Sequence, residues 1–220
     1  CFLYASPGLL QNNSLKGLIR KMETTTKKLN VRKLAVTAVL GAVAAALMFV
    51  SFSVPIMPGF IKLDLSELPA LIASFALGPA SGVTVCFLKN LVNLPSTSTS
   101  GVGELSNFLL GMAFVLPAGL LYKKVGGRKG ALTGSLTGAA AMALLSLPIT
   151  YFITYPFYTV FMPMDAIMGM YQAINPAVEN LFQALLWFNV PFTFVKGLLS
   201  VAITFAIYKR ISPLLKGSPK

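Results

Sequence analysis

Continuous apolar runs at residues 34–53, 103–121, 131–151 and 190–207 dominate the hydrophobic pattern of the chain. Each run approaches the ~20 residues that an α-helix needs to cross about 30 Å of hydrocarbon. The strands of a membrane β-barrel would instead show short segments in which apolar and polar residues alternate. The pattern therefore predicts an all-α integral membrane protein that contains these four spanning helices.

A further apolar stretch, residues 65–92, is interrupted at Gly78-Pro79. One kinked helix there would give five spans and place the chain ends on opposite sides of the membrane. A tight turn between two short helices would give six spans and place both ends on the same side. Gly-Pro followed by Ser-Gly is typical of a turn, although a proline kink alone also explains the sequence.

The basic residues favour the six-span topology. Fifteen of the eighteen lysines and arginines lie in three clusters, at residues 16–33, 123–129 and 209–220. Positive charge accumulates on the cytoplasmic side of membrane proteins, and only six spans place all three clusters there. We therefore predict a six-transmembrane-helix bundle with both termini cytoplasmic and with the Gly78-Pro79 turn on the cytoplasmic side.

The segment 154–186 differs from the spans because Pro156, Pro163 and Pro176 interrupt its aromatic and methionine-rich runs. We expect it to form a long, partly helical outer loop between the fifth and sixth helices. Residues 1–21 are expected to be a disordered extension or a remnant of cloning, because Met22 resembles a natural start. Residues 22–220 then form a single six-helix membrane domain.

Composition narrows the functional classes. The chain is 55% apolar, and its net charge of +12 comes from clusters beside apolar runs instead of a basic groove, so we expect no nucleic-acid partner. It contains no histidine, which removes most zinc sites and histidine-dependent catalysis. The sequence also has no signature of a serine nucleophile and no phosphate-binding glycine loop. We expect neither enzyme activity nor a cofactor, and any ATPase must be a separate chain.

In the six-span topology, charges outside the basic clusters gather at the outer ends of the helices or in the outer loop. They are five of the six acidic residues, all except Glu23, together with Lys62, Lys89 and Lys196. Ionisable groups at membrane depth are costly and usually mark a ligand, an ion path or a paired structural contact.

Polar side chains of this outer cluster share helical faces. Asn189, Thr193 and Lys196 lie at i, i+4 and i+7 of the sixth predicted helix, and Glu104 and Asn107 lie at i and i+3 of the fourth. Such groups beside aromatic and methionine residues suit a flat, mostly apolar ligand with polar edges. The alternative is that the lysines only pair with carboxylates to hold helix ends together. The candidate partners for such pairs are Glu67, Glu104 and Asp165.

Small residues form a stripe on the first predicted helix. Ala38, Ala42 and Ala46 recur at four-residue spacing, which lets another helix approach closely. Spacing alone leaves two partners open, a helix of the same bundle or a helix of another protein, and it favours the first.

Five sequence motifs follow one another in a distinctive order. They are LDLSELPA at 63–70, FALGP at 75–79, LKNL at 88–91, GELSNF at 103–108 and PFTFVKG at 191–197. With the alanine stripe, their order and spacing resemble the S component, or substrate-binding subunit, of energy-coupling factor (ECF) vitamin transporters, and most of all the riboflavin-specific type. The resemblance covers residues 28–210.

The resemblance implies a subunit of the bacterial cell membrane that binds riboflavin at its outer face and associates with a transmembrane T subunit and two ATPases. Lys196 and Asn107 would hold polar parts of the vitamin, and Ala38, Ala42 and Ala46 would contact the T subunit. From the resemblance and the outer cluster together, the expected substrate-binding residues are Leu63, Asp64, Lys89, Glu104, Asn107, Asp165, Asn189, Thr193 and Lys196.

The chain departs from the family pattern at Thr193, where the pattern has asparagine. Asn189, one turn earlier, is the residue that would compensate for the missing amide. Two other functions stay open: an S component for another vitamin, such as folate, thiamine or pantothenate, and a structural membrane protein without a transport role.

Overall fold

The structure is a computed structural model that describes residues 31–59, 61–97 and 99–216, with residues 208–216 described as helix backbone alone. The predicted extension, residues 1–21, lies outside this range. The elements in chain order are α1 Val31–Phe49, β1 Phe52–Ser53, β2 Lys62–Leu63, α2 Glu67–Leu77, α3 Pro79–Asn93, a 3-10 turn Leu94–Ser96, α4 Val102–Val125, α5 Gly127–Ile149, a π turn Thr150–Thr154, α6 Tyr155–Tyr158, α7 Met164–Ile174, α8 Leu181–Ala184, a π turn Leu185–Asn189 and α9 Val190–Lys216.

Four helical stretches are long and apolar enough to cross a membrane. Within the described residues they are Val31–Phe49, Val102–Val125, Gly127–Tyr158 and Leu181–Ile207. They correspond to the four apolar runs of the sequence. The last two are longer than predicted, because π turns continue α5 into α6 and join α8 to α9 without a break. Much of the predicted outer loop is therefore helical, including α7.

The interrupted stretch forms a helical hairpin. Gly78 separates α2 from α3 with a φ of +102°, a conformation that favours glycine. The two helices run antiparallel, because Gly82 lies against Ser74 near the turn and Lys89 pairs with Glu67 at the open end. At 11 and 15 residues both helices are short for a span. The turn that distinguished six spans from five is present, and the crossing of the membrane by both helices stays a prediction.

Small residues allow the central helices to pack closely. A Cβ atom on Gly134 would lie 2.5 Å from the Ala118 carbonyl oxygen, and one on Gly138 would lie 2.4 Å from the Phe114 carbonyl oxygen. Helices α4 and α5 thus approach each other backbone to backbone, as small residues permit in membrane bundles. On a neighbouring face of α5, Gly197 of α9 lies against Ala139. The apolar core formed there includes Phe114, Ala118, Ala139 and Met142.

We expect Gly138→Ala to destabilise the protein, because its Cβ would force α4 and α5 apart. Overpacking of this kind costs about 1–3 kcal/mol. Gly169→Ala is the matched control, since no atom lies within 4 Å of its Cβ position on α7. Thermal unfolding of the purified protein in detergent measures both. Equal unfolding midpoints for Gly138→Ala and the wild type would contradict the close approach.

Candidate binding cavity

A cavity of about 300 Å³ lies where α1, the β1–β2 connection, α3, α4, α5 and α9 converge at one end of the bundle. Ligand pockets in proteins start at about this size. Six of the nine predicted substrate-binding residues line it. They are Asp64, Glu104, Asn107, Asn189, Thr193 and Lys196.

The other three predicted residues do not line the cavity. Leu63 is half-buried in β2. Its two neighbours in the chain, Lys62 and Asp64, do line the cavity. Lys89 is completely buried beneath the cavity wall, where it pairs with Glu67. Asp165 is exposed on α7. For Lys89, the structure shows the helix-to-helix ion pair that was the alternative to a ligand contact.

Lys196 and Asp64 form an ion pair in the cavity wall. The Lys196 Nζ lies 2.9 Å from Asp64 Oδ2, and both side chains are nearly buried. The Ser66 N–H and hydroxyl both donate to the other oxygen, Oδ1. Burial alone would raise the pKa of the Asp64 carboxyl, but Lys196, Lys89 and the Ser66 hydrogen bond hold that pKa well below its usual range. Asp64 therefore stays ionised and neutralises Lys196, while the ammonium keeps further N–H donors for the cavity.

Glu104 is held in place by the last residue of α3 and by the loop that precedes α4. The Asn93 amide donates to Oε1 at 3.0 Å, and the hydroxyls of Thr97 and Thr99 donate to Oε2 at 2.7 and 3.3 Å. Asn107, one turn along α4, donates to Asn90 Oδ1 at 3.3 Å. The carboxylate and the amide thus occupy one wall in fixed orientations, as their shared helical face predicted.

The π turn after α5 contributes a second wall that the sequence analysis missed. Thr150, Thr154, Tyr155 and Tyr158 all line the cavity. The Thr154 hydroxyl donates to Ser106 Oγ at 2.9 Å, which ties this wall to α4. The fifth helix was expected to end near Tyr151, so these residues were not recognised as one polar face of a continuing helix. The polar groups at positions 150, 154 and 158 recur at four-residue spacing, a signal that would have identified them.

Comparisons with known proteins give the family. The family model for the substrate-specific component of ECF transporters matches residues 32–208. The chain belongs to this family. Its relatives include a riboflavin transporter RibU of Staphylococcus aureus, 30% identical over 86% of this chain and 97% of that protein. Another is the riboflavin transporter FmnP of Bacillus subtilis, 31% identical over 86% of this chain and 96% of that protein.

A solved structure shares the fold of this S component. It is described as the S component of a bacterial ECF transporter, and it superposes with a TM-score of 0.66 at 29% identity, over 84% of this chain and 98% of that one. The resemblance drawn from the sequence motifs is thereby confirmed.

A second, deeper ion pair supports the cavity wall of this S component. Lys89 Nζ lies 2.7 Å from Glu67 Oε1, and neither side chain is exposed. Lys89 also donates to Ser66 Oγ at 2.6 Å. Ser66 therefore joins the deep pair to the Lys196–Asp64 pair, so that two cations and two carboxylates form one connected network.

We expect Lys89→Met to destabilise the S component strongly, because it leaves Glu67 buried without its ion-pair partner. Breaking one side of a buried pair costs about 3–5 kcal/mol. The double variant Lys89→Met/Glu67→Gln removes both charges and should recover most of that loss. Lys129→Met, on an exposed lysine of α5, is the matched control. Denaturation in detergent measures the free energy of unfolding, and a double variant no more stable than Lys89→Met would contradict the pairing.

Proposed function

We propose that this S component binds riboflavin at the outer face of a bacterial cytoplasmic membrane and delivers it for uptake by an ECF transporter. The observation that carries the proposal is the cavity, whose lining combines the Lys196–Asp64 pair with amides, hydroxyls and aromatic rings. The names of the two relatives, both riboflavin transporters, support the choice of vitamin.

The cavity lining suits a flat ring system with a polar chain. Tyr158 and Phe192 offer aromatic surface, and Met48 adds adaptable apolar surface. The polar lining residues would hold the oxygen and nitrogen atoms of the ring edge and of the ribityl chain. They are Asp64, Glu104, Asn107, Asn189, Thr193 and Lys196.

The proposed orientation places the cavity outside and the basic clusters inside. With α2 and α3 counted as spans, the bundle has six, both termini are cytoplasmic, and the segment from α6 to α8 lies on the outer side. The sequence contains no phosphate-binding glycine loop, so energy for uptake would come from two ATPase subunits through a T subunit.

We expect the purified protein to quench the fluorescence of added riboflavin, and Lys196→Ala to bind it at least tenfold more weakly, since one charge-assisted hydrogen bond contributes about 1.5–3 kcal/mol. Lys129→Ala, on an exposed lysine, should bind like the wild type. Titration in detergent gives the affinities, and unfolding midpoints show that the variants are folded.

The outcomes separate the alternatives. A folded wild-type protein that leaves riboflavin fluorescence unchanged would refute the proposal. Binding assays with folate, thiamine and pantothenate would then identify another vitamin as the ligand. If the protein is structural and binds no ligand, Lys196→Ala should lower the stability of the fold, and no riboflavin binding should be detected in either the wild type or the variant.

The alanine stripe is exposed on the surface of α1. Ala38, Ala42 and Ala46 are all exposed, whereas α1 buries Thr37, Gly41, Ala44 and Ala45. Gly41 makes the close approach to α3, against Leu88. The packing within the bundle that spacing alone favoured is therefore not made by these alanines. Their exposure supports the proposal that they contact the T subunit.

We expect Ala42→Trp to block assembly with the T subunit while leaving riboflavin binding unchanged. The indole would prevent close helix approach, and Ala42 is exposed and does not line the cavity. Ala140→Trp, which places the same bulk on an exposed position of α5, is the matched control. Co-purification with the T subunit and ATPases measures assembly. Normal co-purification of Ala42→Trp would refute the contact.

A further inference from the structure

Three hydroxyl and amide groups form a hydrogen-bonded chain beside the cavity. The Tyr155 and Tyr171 hydroxyl oxygens are 2.6 Å apart, and the Tyr171 hydroxyl donates to Asn189 Oδ1 at 2.8 Å. The three residues come from α6, α7 and the second π turn. Tyr155 and Asn189 line the cavity, whereas Tyr171 lies behind them and is completely buried.

The direction of this chain follows from counting protons. A tyrosine hydroxyl carries one proton, and an amide oxygen can only accept. Tyr171 therefore donates its one hydroxyl proton to Asn189 Oδ1. With Tyr171 donating to Asn189, the proton of Tyr155 is the one available for the contact between the two tyrosines. Tyr155 also interacts with the Asn189 side chain.

The chain fixes which end of the Asn189 amide is available to a ligand. Its oxygen accepts from Tyr171, so the amide nitrogen is the group of Asn189 that is available to donate to a ligand. We propose that Tyr171 is a positioning residue that orients Asn189 as a hydrogen-bond donor, so that the cavity selects a ring edge bearing an acceptor atom at that point. This inference rests on the proposed function and names a specificity determinant within it.

The surroundings of Tyr171 make a positioning role physically reasonable. Its ring packs on Phe188 with centroids 5.6 Å apart and belongs to a buried cluster with Tyr155, Ile167 and Leu185. This apolar packing locks the ring, so the hydroxyl is aimed without help from a ligand. Asn189 ends a π turn, an irregularity that occurs frequently at functional sites. Removing the hydroxyl alone would leave the packing in place.

The test combines Tyr171→Phe with riboflavin analogues that alter one ring acceptor each. The probes are 1-deazariboflavin and 5-deazariboflavin, which lack a ring nitrogen, and 2-thioriboflavin and 4-thioriboflavin, whose thiocarbonyls accept weakly. We expect the wild type to bind one analogue about tenfold more weakly than riboflavin, the value of one hydrogen bond. Tyr171→Phe removes the hydrogen bond that holds the amide oxygen, so riboflavin binds more weakly and that discrimination largely disappears.

Tyr122→Phe is the matched control, because Tyr122 packs on Phe75 and does not line the cavity. It should keep the wild-type affinities and the wild-type discrimination. A second variant, Asn189→Asp, still accepts from Tyr171 but presents an oxygen to the ligand, and it should lose the same discrimination if Tyr171→Phe fails to fold.

A loss of affinity by the same factor for riboflavin and all four analogues would show that Tyr171 acts through packing alone and would overturn the inference. Unchanged affinities in Tyr171→Phe would do so as well. Failure of the wild type to bind riboflavin at all would instead refute the proposed function, so the two failures are distinguishable.

Discussion

Two lysines and two carboxylates buried at one end of an apolar bundle are the constraint on which the arrangement of this S component depends. An ion transferred from water into a protein interior costs several kcal/mol unless its charge and hydrogen bonds are satisfied. Lys89 with Glu67 and Lys196 with Asp64 satisfy this requirement, and Ser66 joins the pairs. The start of α2, the end of α3 and the first two turns of α9 must therefore meet, which requires α2 and α3 to run antiparallel.

The same network connects the buried ion pair between α2 and α3 to the edge of the cavity. One oxygen of Asp64 accepts from Ser66, which also contacts Lys89 of the deeper pair. The other oxygen accepts from Lys196, which lines the cavity. Below this level the helices pack through glycine and alanine, so there is little room for a ligand between α4 and α5. The cavity lies where polar side chains replace that close packing.

The sequence predicted features that depend on local spacing and on charge. Asn189, Thr193 and Lys196 line the cavity because they share one helical face, and Gly78 turns the chain where the basic clusters required a turn. Pairs of residues that are distant in the chain could not be predicted. Asp64 and Lys196 lie 132 residues apart, and neither local sequence indicates the other as its partner. The π turns were missed because periodicity assumes a constant 3.6 residues per turn. Thr150 and Thr154 were missed because the fifth helix was expected to end near Tyr151, whereas the helical stretch continues to Tyr158.

Three consecutive residues of α3 contact three different parts of the structure. Leu88 packs on Gly41 of α1, the helix that carries the exposed alanine stripe. Lys89 belongs to the charge network, and Asn90 accepts from Asn107 in the cavity wall. Because successive residues of a helix point about 100° apart, one turn of α3 can face all three neighbours at once. The candidate cavity and the proposed partner surface are thus joined by one turn of α3, whose position is set by a buried ion pair.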